Sequence, residues 1–596
     1  MILPLGSNGV VKSHSKLLPI KKAATDVLLE LPFVDDFSGN SPFPDPAYWI
    51  DNDAFINHSY EVNPVSSGVA TLDAINEFGS VYANATIYPK TFIADYLTSH
   101  PVNLDYPATD DIYFSFFYQP TGLGLEPSEY DSLCVDFYNP TLDMWSNIWQ
   151  KPGDTLQAFK QVMIPITDAA YLKNGFQFRF RNRASLPLNS DYSDKRGNVD
   201  HWNIDYVRLG RLRSSTDTII RDVAFSKPLT SMIKDYQAVP WDHFSIAYNT
   251  HYLPNIEIEY FNNDSATRII TRYLKIKDLL YDETFSAGSS TTQDILSGES
   301  TTYKISSIYP FEFGRGDTAH FEITSYLHTD DFDNKANDTI TRIQIFRDYF
   351  AHDDGTAERA YGLRGQGTSG SIMAVRFDSF ISDQLGGVDI YFTQLMDSLN
   401  LNYYYKFMVW DDDEGMPGNV LYNAEADYSV MYSDELNKYT RIKFENPVDV
   451  NGTFYVGIKQ YSQYMLNIGL DLNNPANGSL IYSLGSDWLV SEAPGSLMIR
   501  PYVQRSYSSI GELINQQQSV VLYPNPVSEY LHFKFPDTIF NEEININIYN
   551  ITGQVVASEK NCSEGMYVGH LPEGMYIVDF QSDRFSFSSE RIIISK

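Results

Sequence analysis

Four aspartates near the beginning of the sequence have the side-chain type needed to hold a hard metal ion. Asp35 and Asp36 are adjacent, and Asp200 and Asp205 come about 170 residues later. Ca²⁺ takes about six to eight oxygen ligands, mainly from carboxylates and carbonyls. In a β-sandwich whose first and last strands lie side by side, the first pair would meet Asp200 or Asp205. The sequence therefore predicts a structural Ca²⁺ that joins the two terminal strands.

A second acidic pair has a similar context later in the chain. Asp353 and Asp354 are followed by Glu358 at the start of another strand-rich stretch. The same chemistry predicts a second structural Ca²⁺ at these three residues. The alternative for both sites is that the acids cap turns or face water.

No motif for hydrolysis is found. The sequence lacks HExxH and GxSxG, and Cys134 lies in an apolar run, where a buried thiol is inert. His201 is adjacent to Asp200, but neighbouring strand residues point to opposite faces, so they form no dyad. Two carboxylates on facing strands would suffice for a glycosidase, and the sequence leaves that open. We expect a non-enzymatic protein. A secreted hydrolase with an unrecognised carboxylate site is the alternative.

Aromatic side chains are the candidates for binding. Rings on a sheet face can stack on sugars or on protein partners, although most strand aromatics are buried in a core. The candidates are Trp145, Trp149, Tyr192 and Trp202 in the first part of the chain and Tyr403, Tyr404, Tyr405 and Trp410 in the later part.

Composition excludes several classes of protein. The formal net charge of −33 argues against a nucleic-acid partner, which requires a basic surface. The two cysteines, Cys134 and Cys562, are far apart in the sequence, so no disulfide framework is expected. No apolar stretch reaches the ~20 residues of a transmembrane helix. Tyr and Phe are abundant, with 43 and 36 copies, and favour strands over helices.

The strand-like runs predict an all-β chain of several antiparallel β-sandwiches. Short apolar or alternating runs recur with Gly, Pro and Asn between them, as in IYFSFFY at 112–118 and FQFRF at 176–180. The predicted organisation is an N-terminal segment at 1–30, a jelly roll at 31–211, an immunoglobulin-like or fibronectin-like sandwich at 212–347, a second jelly-roll-like sandwich at 348–505, a linker at 506–518 and a C-terminal domain at 519–596.

The first sandwich resembles a known type of module. Its opening Asp35-Asp36-Phe37, the region of Trp145 and Trp149, GFQFRFRNRASL at 175–186 and NVDHWNIDYVRL at 198–209 resemble the MAM-like, concanavalin-type jelly roll. Such modules bind carbohydrate, bind protein or are structural. The resemblance implies adhesion or binding of a glycan or a surface protein.

The last part of the sequence predicts a small separate β module. Residues 531, 533 and 535 alternate as apolar positions with polar neighbours, and so do 544, 546 and 548. The prolines of YPNP at 523–526 end one strand, and turns are expected at 550–553 and 572–574. The pattern indicates a sandwich of about seven strands.

This module resembles the C-terminal sorting domain of type IX secretion cargo from Bacteroidota. YPNP, IYNITGQVV, LPEGMYIV and the basic-ended final strand occur in the order typical of that family. The resemblance implies that residues 519–596 engage the type IX secretion machinery and that the protein is exported across the outer membrane to the cell surface or the medium. Such cargo normally has a signal peptide, and residues 1–22 lack its apolar core. An incomplete or misassigned start is therefore expected.

Overall fold

The computed structural model describes all residues except 15–26, 40, 189–196, 290–291, 330–332, 396–398, 433–438, 477, 486, 505–516, 519, 535–544, 551–554, 561–564, 582–585, 588–589 and 596. It divides into two compact units, Met1–Gln504 and Arg505–Lys596. The described residues form 40 strands and only two α-helices. All pairings between strands are antiparallel except one. The prediction of an all-β, multidomain sandwich architecture is confirmed.

The first part of the larger unit is a two-sheet sandwich. One sheet has the order β10-β7-β12-β4-β3 with β2 beside β12, and the other has the order β5-β11-β8-β9 with β6 beside β11. Buried phenylalanines from β7, β8 and β11 fill the space between the sheets. The elements are β1 Ile2–Leu3, α1 Gly9–His14, β2 Phe33–Asp35, β3 Phe55–Asn57, β4 Val69–Leu72, β5 Phe92–Thr98, β6 Val102–Asn103, β7 Tyr113–Pro120, β8 Ser132–Asn139, β9 Met144–Pro152, β10 Lys160–Pro165, β11 Asn174–Ala184 and β12 Trp202–Gly210.

The terminal strands of this sandwich are neighbours. Strand β2 pairs antiparallel with β12, and Asp35 lies opposite Val207. The adjacency that motivated the first calcium prediction is therefore present.

The N-terminal segment is part of the Met1–Gln504 unit, because its strand β1 pairs with β21 (Arg359–Tyr361) of the third part.

The second part contains a three-stranded sheet, β13-β14-β18, and a five-stranded sheet, β16-β15-β19-β20, in which β17 pairs with β15. Helix α2 packs its buried face, with Trp241 and Phe244, into the core. The elements are β13 Val223–Phe225, α2 Trp241–His251, β14 Asn255–Asn262, β15 Arg268–Asp278, β16 Glu283–Ser289, β17 Gln293–Ile295, β18 Ser300–Ser306, β19 Ala319–His328 and β20 Thr339–Phe346.

The third part is built around two long strands, β22 and β26, in an eight-stranded sheet, with β21, β27 and β30 in a separate four-stranded sheet that includes β1. A continuous core extends from Val223 to Val503 across the predicted boundary near residue 347, so the second and third parts share their interior. The elements are β21 Arg359–Tyr361, β22 Ile372–Ile390, β23 Tyr404–Asp413, β24 Met416–Asn423, β25 Tyr428–Ser429, β26 Thr440–Gln460, β27 Ile468–Asp471, β28 Leu480–Ser483, β29 Trp488–Val490, β30 Ser496–Leu497 and β31 Ile499–Val503.

The C-terminal unit contains a six-stranded and a three-stranded sheet. Leu531, Phe533, Ile546 and Ile548 are buried, as the alternation predicts. Positions 535 and 544 and most of the turn at 550–553 lie outside the described residues. The elements are β32 Gln517–Gln518, β33 Val521–Tyr523, β34 Tyr530–Lys534, β35 Asn545–Tyr549, β36 Val555–Lys560, β37 Gly565–Tyr567, β38 Gly574–Gln581, β39 Ser586–Phe587 and β40 Glu590–Ile594.

Within the described residues, no helix has the length and apolar character needed to cross a membrane. The module boundaries inside the larger unit, at residues 30, 211 and 347, stay predictions.

Candidate functional site

The four aspartates predicted to bind calcium in the first sandwich divide into two locations. Asp205 accepts hydrogen bonds from the backbone N–H groups of Val65 and Ser66, at 3.2 and 3.0 Å. Burial raises its pKa well above the usual range, and the charge of nearby Asp36 adds to the shift. Asp205 and Asp36 therefore lie within electrostatic range of each other.

Asp200 lies in a different environment. Its carboxylate accepts a 2.7 Å hydrogen bond from the Ser185 N–H. Burial raises its pKa well above the usual range, and the acidic neighbours that contribute are Asp131 and Asp73. The structure therefore groups Asp200 with a set of acids that the sequence analysis did not single out.

Asp35 and Asp36 use their oxygens for neutral donors. Asp35 accepts from the Trp49 indole Nε1–H at 2.6 Å and from the Phe37 N–H at 3.0 Å. Asp36 accepts from the side-chain amides of Asn334 and Asn337, both at 2.7 Å.

In the third part, Asp353 is neutralised by an ion pair. The Arg500 Nε lies 3.1 Å from both Asp353 carboxylate oxygens, and the Tyr439 hydroxyl donates to the same group. The Arg500 guanidinium therefore already balances the charge of the Asp353 carboxylate. Asp353 is in contact with Arg500 and Tyr439 rather than with a set of carboxylates.

Asp354 and Glu358 are joined by an acid that the sequence analysis missed, Asp471. The Asp354 N–H donates to Asp471 at 2.8 Å, and the Asn474 amide bridges the two carboxylates at 2.7 and 3.0 Å. Burial raises the pKa of Glu358 well above the usual range, and Asp471 and Asp354 contribute further. No sequence pattern links Asp471 to the pair, because the strand pairing of β21 with β27 creates the contact.

No group of three or more His, Cys, Asp or Glu side chains in the described residues is arranged to hold a metal ion. The carboxylates described above already accept hydrogen bonds from N–H groups or pair with Arg500. Both calcium sites stay predictions.

The candidate aromatic side chains differ in where they lie in the structure. Trp202, Tyr405 and Trp410 are buried, and Trp149 packs edge-on against Phe116 in the core. Tyr403 stacks on Tyr464, and Tyr404 is exposed. Tyr192 lies outside the described residues. Of the three candidates in the first part that the structure describes, Trp145 alone lies on a sheet surface among polar groups.

The surface around Trp145 is the outer face of the β5-β11-β8-β9 sheet. Strand alternation produces it, because Leu133, Val135 and Phe137 of β8 point into the core and the residues between them point outward. Cross-strand pairing places Asp136 opposite Arg179 and Tyr138 opposite Trp145. We call this surface the Trp145 face, and it consists of Tyr96, Asp136, Tyr138, Trp145, Asn147, Arg179 and Arg181.

The charged groups of the Trp145 face hold one another in place. Asp136 accepts from Arg179 Nε at 3.0 Å and from Arg181 Nε and Nη2 at 2.7 and 3.1 Å. Burial acts to raise the pKa of Asp136, but hydrogen bonds from Arg181, Asn147 and Arg179 outweigh it and lower the pKa below its usual value. Asp136 therefore remains ionised at neutral pH.

The aromatic rings of this face are ordered by the same arginine. The Arg179 guanidinium lies 4.2 Å from the Trp145 ring centroid and 4.9 Å from that of Tyr96. The Tyr138 and Trp145 centroids are 5.3 Å apart. All three rings are partly exposed. The face thus combines rigid aromatic surface with fixed donors and acceptors.

A separate cavity of about 860 Å³ in the larger unit is lined by the partly exposed Glu61 and the buried Glu358. Burial raises the pKa of Glu61 to about 8, although backbone hydrogen bonds oppose the shift. Burial therefore disfavours the ionised form of both glutamates in this cavity.

Residues 521–595 match the family of secretion system C-terminal sorting domains. The tail is therefore a type IX secretion sorting domain, as its motifs indicated. The protein is exported across the outer membrane to the surface or the extracellular space, and this domain engages the secretion machinery.

No curated protein matches the chain. Solved structures with which it has a distant likeness include the GH2 β-galacturonidase of Eisenbergiella tayi bound to galacturonate (9% identity, TM-score 0.22, 53% of this chain and 44% of that one). The β-glucuronidases of Bacteroides uniformis (11%, 0.19, 45% and 28%) and Parabacteroides merdae (15%, 0.19, 43% and 27%) are further examples. The chain spans less than half the length of each enzyme. A likeness this distant carries no argument about activity.

Proposed function

We propose that this exported protein is a non-enzymatic binding protein of the cell exterior and that it binds glycan through the Trp145 face. The observation that carries the proposal is the partly exposed Trp145 ring, held beside an ion-paired Asp136 and two arginines on one sheet surface. A sugar ring offers a C–H face that packs on an aromatic ring and hydroxyls that bond to charged groups. The Trp145 face provides both kinds of contact within one surface.

The internal hydrogen bonds of this face support the proposal because they reduce the entropy lost on binding. Arg179 and Arg181 are both fixed by Asp136, so their rotamers are restricted before a ligand arrives. The Asn147 amide also donates to Asp136, at 2.9 Å. A surface ordered in this way is typical of a recognition site.

The proposal is tested by glycan-array binding of the full chain. We expect Trp145→Ala to weaken binding to the best glycan at least about tenfold, as truncation of a central aromatic anchor does. Tyr404→Ala is the matched control, since Tyr404 is an exposed aromatic residue of the third part and was also a candidate. Binding that is lost in Tyr404→Ala and kept in Trp145→Ala would move the site to the third part. A chain that captures a surface protein and no glycan would refute glycan recognition.

The raised pKa values of Glu61 and Glu358 support binding over hydrolysis. Cleavage of a glycosidic bond by two carboxyl groups requires one protonated and one ionised partner. The pKa of Glu61 is raised to about 8 by burial, and burial also raises the pKa of Glu358 well above its usual range. Glu61 is then mostly protonated at neutral pH, and burial disfavours ionisation of Glu358 in the same cavity.

A screen of the full chain against aryl glycosides tests this part of the proposal. We expect no turnover above that of a heat-denatured sample. Turnover that disappears in Glu61→Gln would overturn the non-enzymatic assignment in favour of a secreted hydrolase.

A further inference from the structure

The arginines of strand β11 give the Trp145 face an excess of positive charge. Arg179, Arg181 and Arg183 occupy alternate positions of β11 and therefore lie on one side of the sheet. Asp136 pairs with the first two, and Arg183 has no ion pair in the described part of the chain. The whole chain has a formal net charge of −33, so this surface departs from the rest of the molecule. Charges more than about 8 Å away are screened at physiological ionic strength, so a ligand responds mainly to the nearest arginines.

Arg181 and Asp136 balance each other. Arg181 donates through Nε to one carboxylate oxygen at 2.7 Å and through Nη2 to the other at 3.1 Å. Such a two-bond pair is the strongest arrangement of a guanidinium with a carboxylate. The Arg181 side chain is only 11% exposed, and that of Asp136 is 3% exposed. Arg181 therefore neutralises Asp136 and offers little contact to a ligand.

Arg179 is left with a charge and with donors that nothing in the described part of the chain uses. It contributes only its Nε to Asp136, at 3.0 Å. Its two Nη groups have no hydrogen-bond partner among the described residues, and its side chain is 21% exposed. With Nε engaged, the two Nη groups form a planar fork whose N–H bonds match a pair of anionic oxygens.

The free end of Arg179 lies beside the aromatic rings of the face. Its guanidinium is 4.2 Å from the Trp145 ring centroid and 4.9 Å from that of Tyr96. An anionic group that accepts from the Nη fork would therefore lie within about 8 Å of the centre of the Trp145 ring. A single sugar residue can span that distance. The rings also restrict the guanidinium before a ligand arrives, which lowers the entropy lost on binding.

We propose that the glycan bound by the Trp145 face is acidic and that Arg179 selects it, an inference that rests on the function proposed above. The acidic group is the carboxylate of a uronic acid or the sulfate of a sulfated sugar, since both offer two anionic oxygens to the Nη fork. The sugar ring packs on Trp145 while this group pairs with Arg179. A neutral sugar would leave the charge of Arg179 without a partner, and an amino sugar would be repelled by it.

NMR titration of the full chain with matched sugars tests the proposal. The probes are the methyl β-glycosides of glucuronic acid, of glucose 6-sulfate and of glucose, together with the same three members of the galactose series. Within each series the ring is the same and only the group at C6 changes. In at least one series, we expect an acidic member to bind at least about tenfold more tightly than the neutral parent. The tighter acidic member identifies carboxylate or sulfate as the group recognised, and either order supports the proposal.

Substitution of Arg179 separates selection from stacking. Arg179→Gln should remove most of the preference for the acidic sugar and leave the affinity for the neutral parent unchanged, whereas Trp145→Ala should weaken both. Arg179→Lys keeps the charge without the fork and should give an intermediate preference. Asp136 retains its bonds from Arg181 and Asn147 in these variants, so the fold should be kept, and the melting temperature checks this.

Two charge variants nearby are the controls. Arg183→Gln removes a positive charge from the same side of β11, but four residues from Arg179, a distance of about 13 Å, so the affinity for the single sugars should change less than about twofold. Asp143 is exposed and accepts from the Tyr138 hydroxyl at 2.7 Å. Asp143→Asn removes this negative charge at the edge of the face and should strengthen binding of the acidic sugar by up to about threefold.

The outcomes distinguish this inference from the function on which it rests. Equal affinity for acidic and neutral sugars, with binding lost in Trp145→Ala, would overturn the selection of acidic glycans and leave glycan binding by this face intact. A preference for the acidic sugar that persists in Arg179→Gln, or is lost equally in Arg183→Gln, would overturn the role of Arg179. Absence of binding by all six sugars and by every glycan of the array would refute both.

Discussion

The two units of this protein differ in what they bury. The core of the C-terminal unit consists of apolar and aromatic side chains, and the described part of that unit buries no charged or polar side chain. The Met1–Gln504 unit buries many, among them Asp95, Asp200, Asp205, Arg272 and Asp471. A buried charge is costly unless hydrogen bonds or an ion pair compensate for it. The small unit can therefore fold on its alternating pattern alone, whereas the larger unit depends on a network of specific partners.

This difference agrees with the division of roles. A sorting domain has to present a constant signal to the export machinery, for which a simple apolar sandwich suffices. The larger unit contains the Trp145 face, the cavity lined by Glu61 and Glu358, and the ion pair of Asp353 with Arg500. Buried polar groups are the usual means of building binding sites, at some expense in stability.

The largest expected effect separates the two units by function. Deletion of residues 519–596 should abolish delivery to the surface, because these residues contain the sorting domain. Fractionation of cells into periplasm, outer membrane and medium measures it. The thermal unfolding midpoint of residues 1–518 should stay within about 2 °C of that of the same unit in the full chain. Unchanged surface delivery would contradict the assignment.

Among single substitutions in the larger unit, removal of a buried ion pair should lower the free energy of unfolding the most. Arg500→Ala leaves the fully buried Asp353 unpaired and should lower the free energy of unfolding by about 3–5 kcal/mol. Arg376→Ala is the control, since its pair with Asp378 is exposed and should contribute less than about 1 kcal/mol. Urea titration measures both. Equal effects would remove the distinction between buried and exposed pairs.

The stability of the C-terminal unit should depend on apolar packing rather than on a buried ion pair. Ile548→Ala creates a cavity in the core and should cost about 2–4 kcal/mol, whereas Ile593→Ala, at an exposed position of β40, should cost less than about 0.5 kcal/mol. Hydrogen exchange of the full chain reports the two units separately. A comparable loss of protection in residues 1–504 would show that the units do not unfold independently.

The stability of the larger unit should depend on pH, because its folded state binds protons that its unfolded state releases. Burial raises the pKa of Glu61 to about 8 and that of Asp73 to about 7, compared with about 4 in an unfolded chain. Between about pH 4 and pH 8 the folded unit thus binds more protons than the unfolded one, so its stability falls as the pH rises through this window. We expect its melting temperature to be several degrees lower at pH 8 than at pH 5.

The substitution Glu61→Gln isolates one contribution to this pH dependence. The variant should show a flatter dependence, and the difference from the parent chain should be greatest at pH 8. Glu77→Gln is a control, because it removes a glutamate from a turn outside the cavity that Glu61 lines. A melting temperature that rises with pH in the parent chain would contradict the prediction.

Chelation should have the smallest effect. The acids predicted to bind calcium already accept hydrogen bonds from N–H donors or pair with Arg500, so EDTA should shift the melting temperature of the larger unit by less than about 2 °C. Differential scanning calorimetry with and without 5-fold excess calcium over about 1 mM chelator measures it. A shift of 5 °C or more would support the calcium sites predicted from the acidic pairs.

The aromatic residues show where prediction from sequence reaches its limit. Trp145 and Trp149 are four residues apart on β9, yet one lies on the outer face and the other packs against Phe116. A β-bulge between Val135 and Asp136 of the neighbouring strand shifts the register, so a strict alternation does not describe this strand. The sequence identified both tryptophans as candidates for binding but could not show which one lies on the surface and which one packs in the core.

The amino-acid sequence by itself determined the all-β class, the separate C-terminal sandwich with its buried Leu531 and Ile548, and the export route, because these follow from local alternation and contiguous motifs. The tertiary structure decided which acids meet. The Leu472 N–H, next to Asp471, donates to Glu358 across a gap of 114 positions, and Asn337 reaches Asp36 across 301. Such contacts depend on the pairing and packing of distant strands, and no local pattern encodes them.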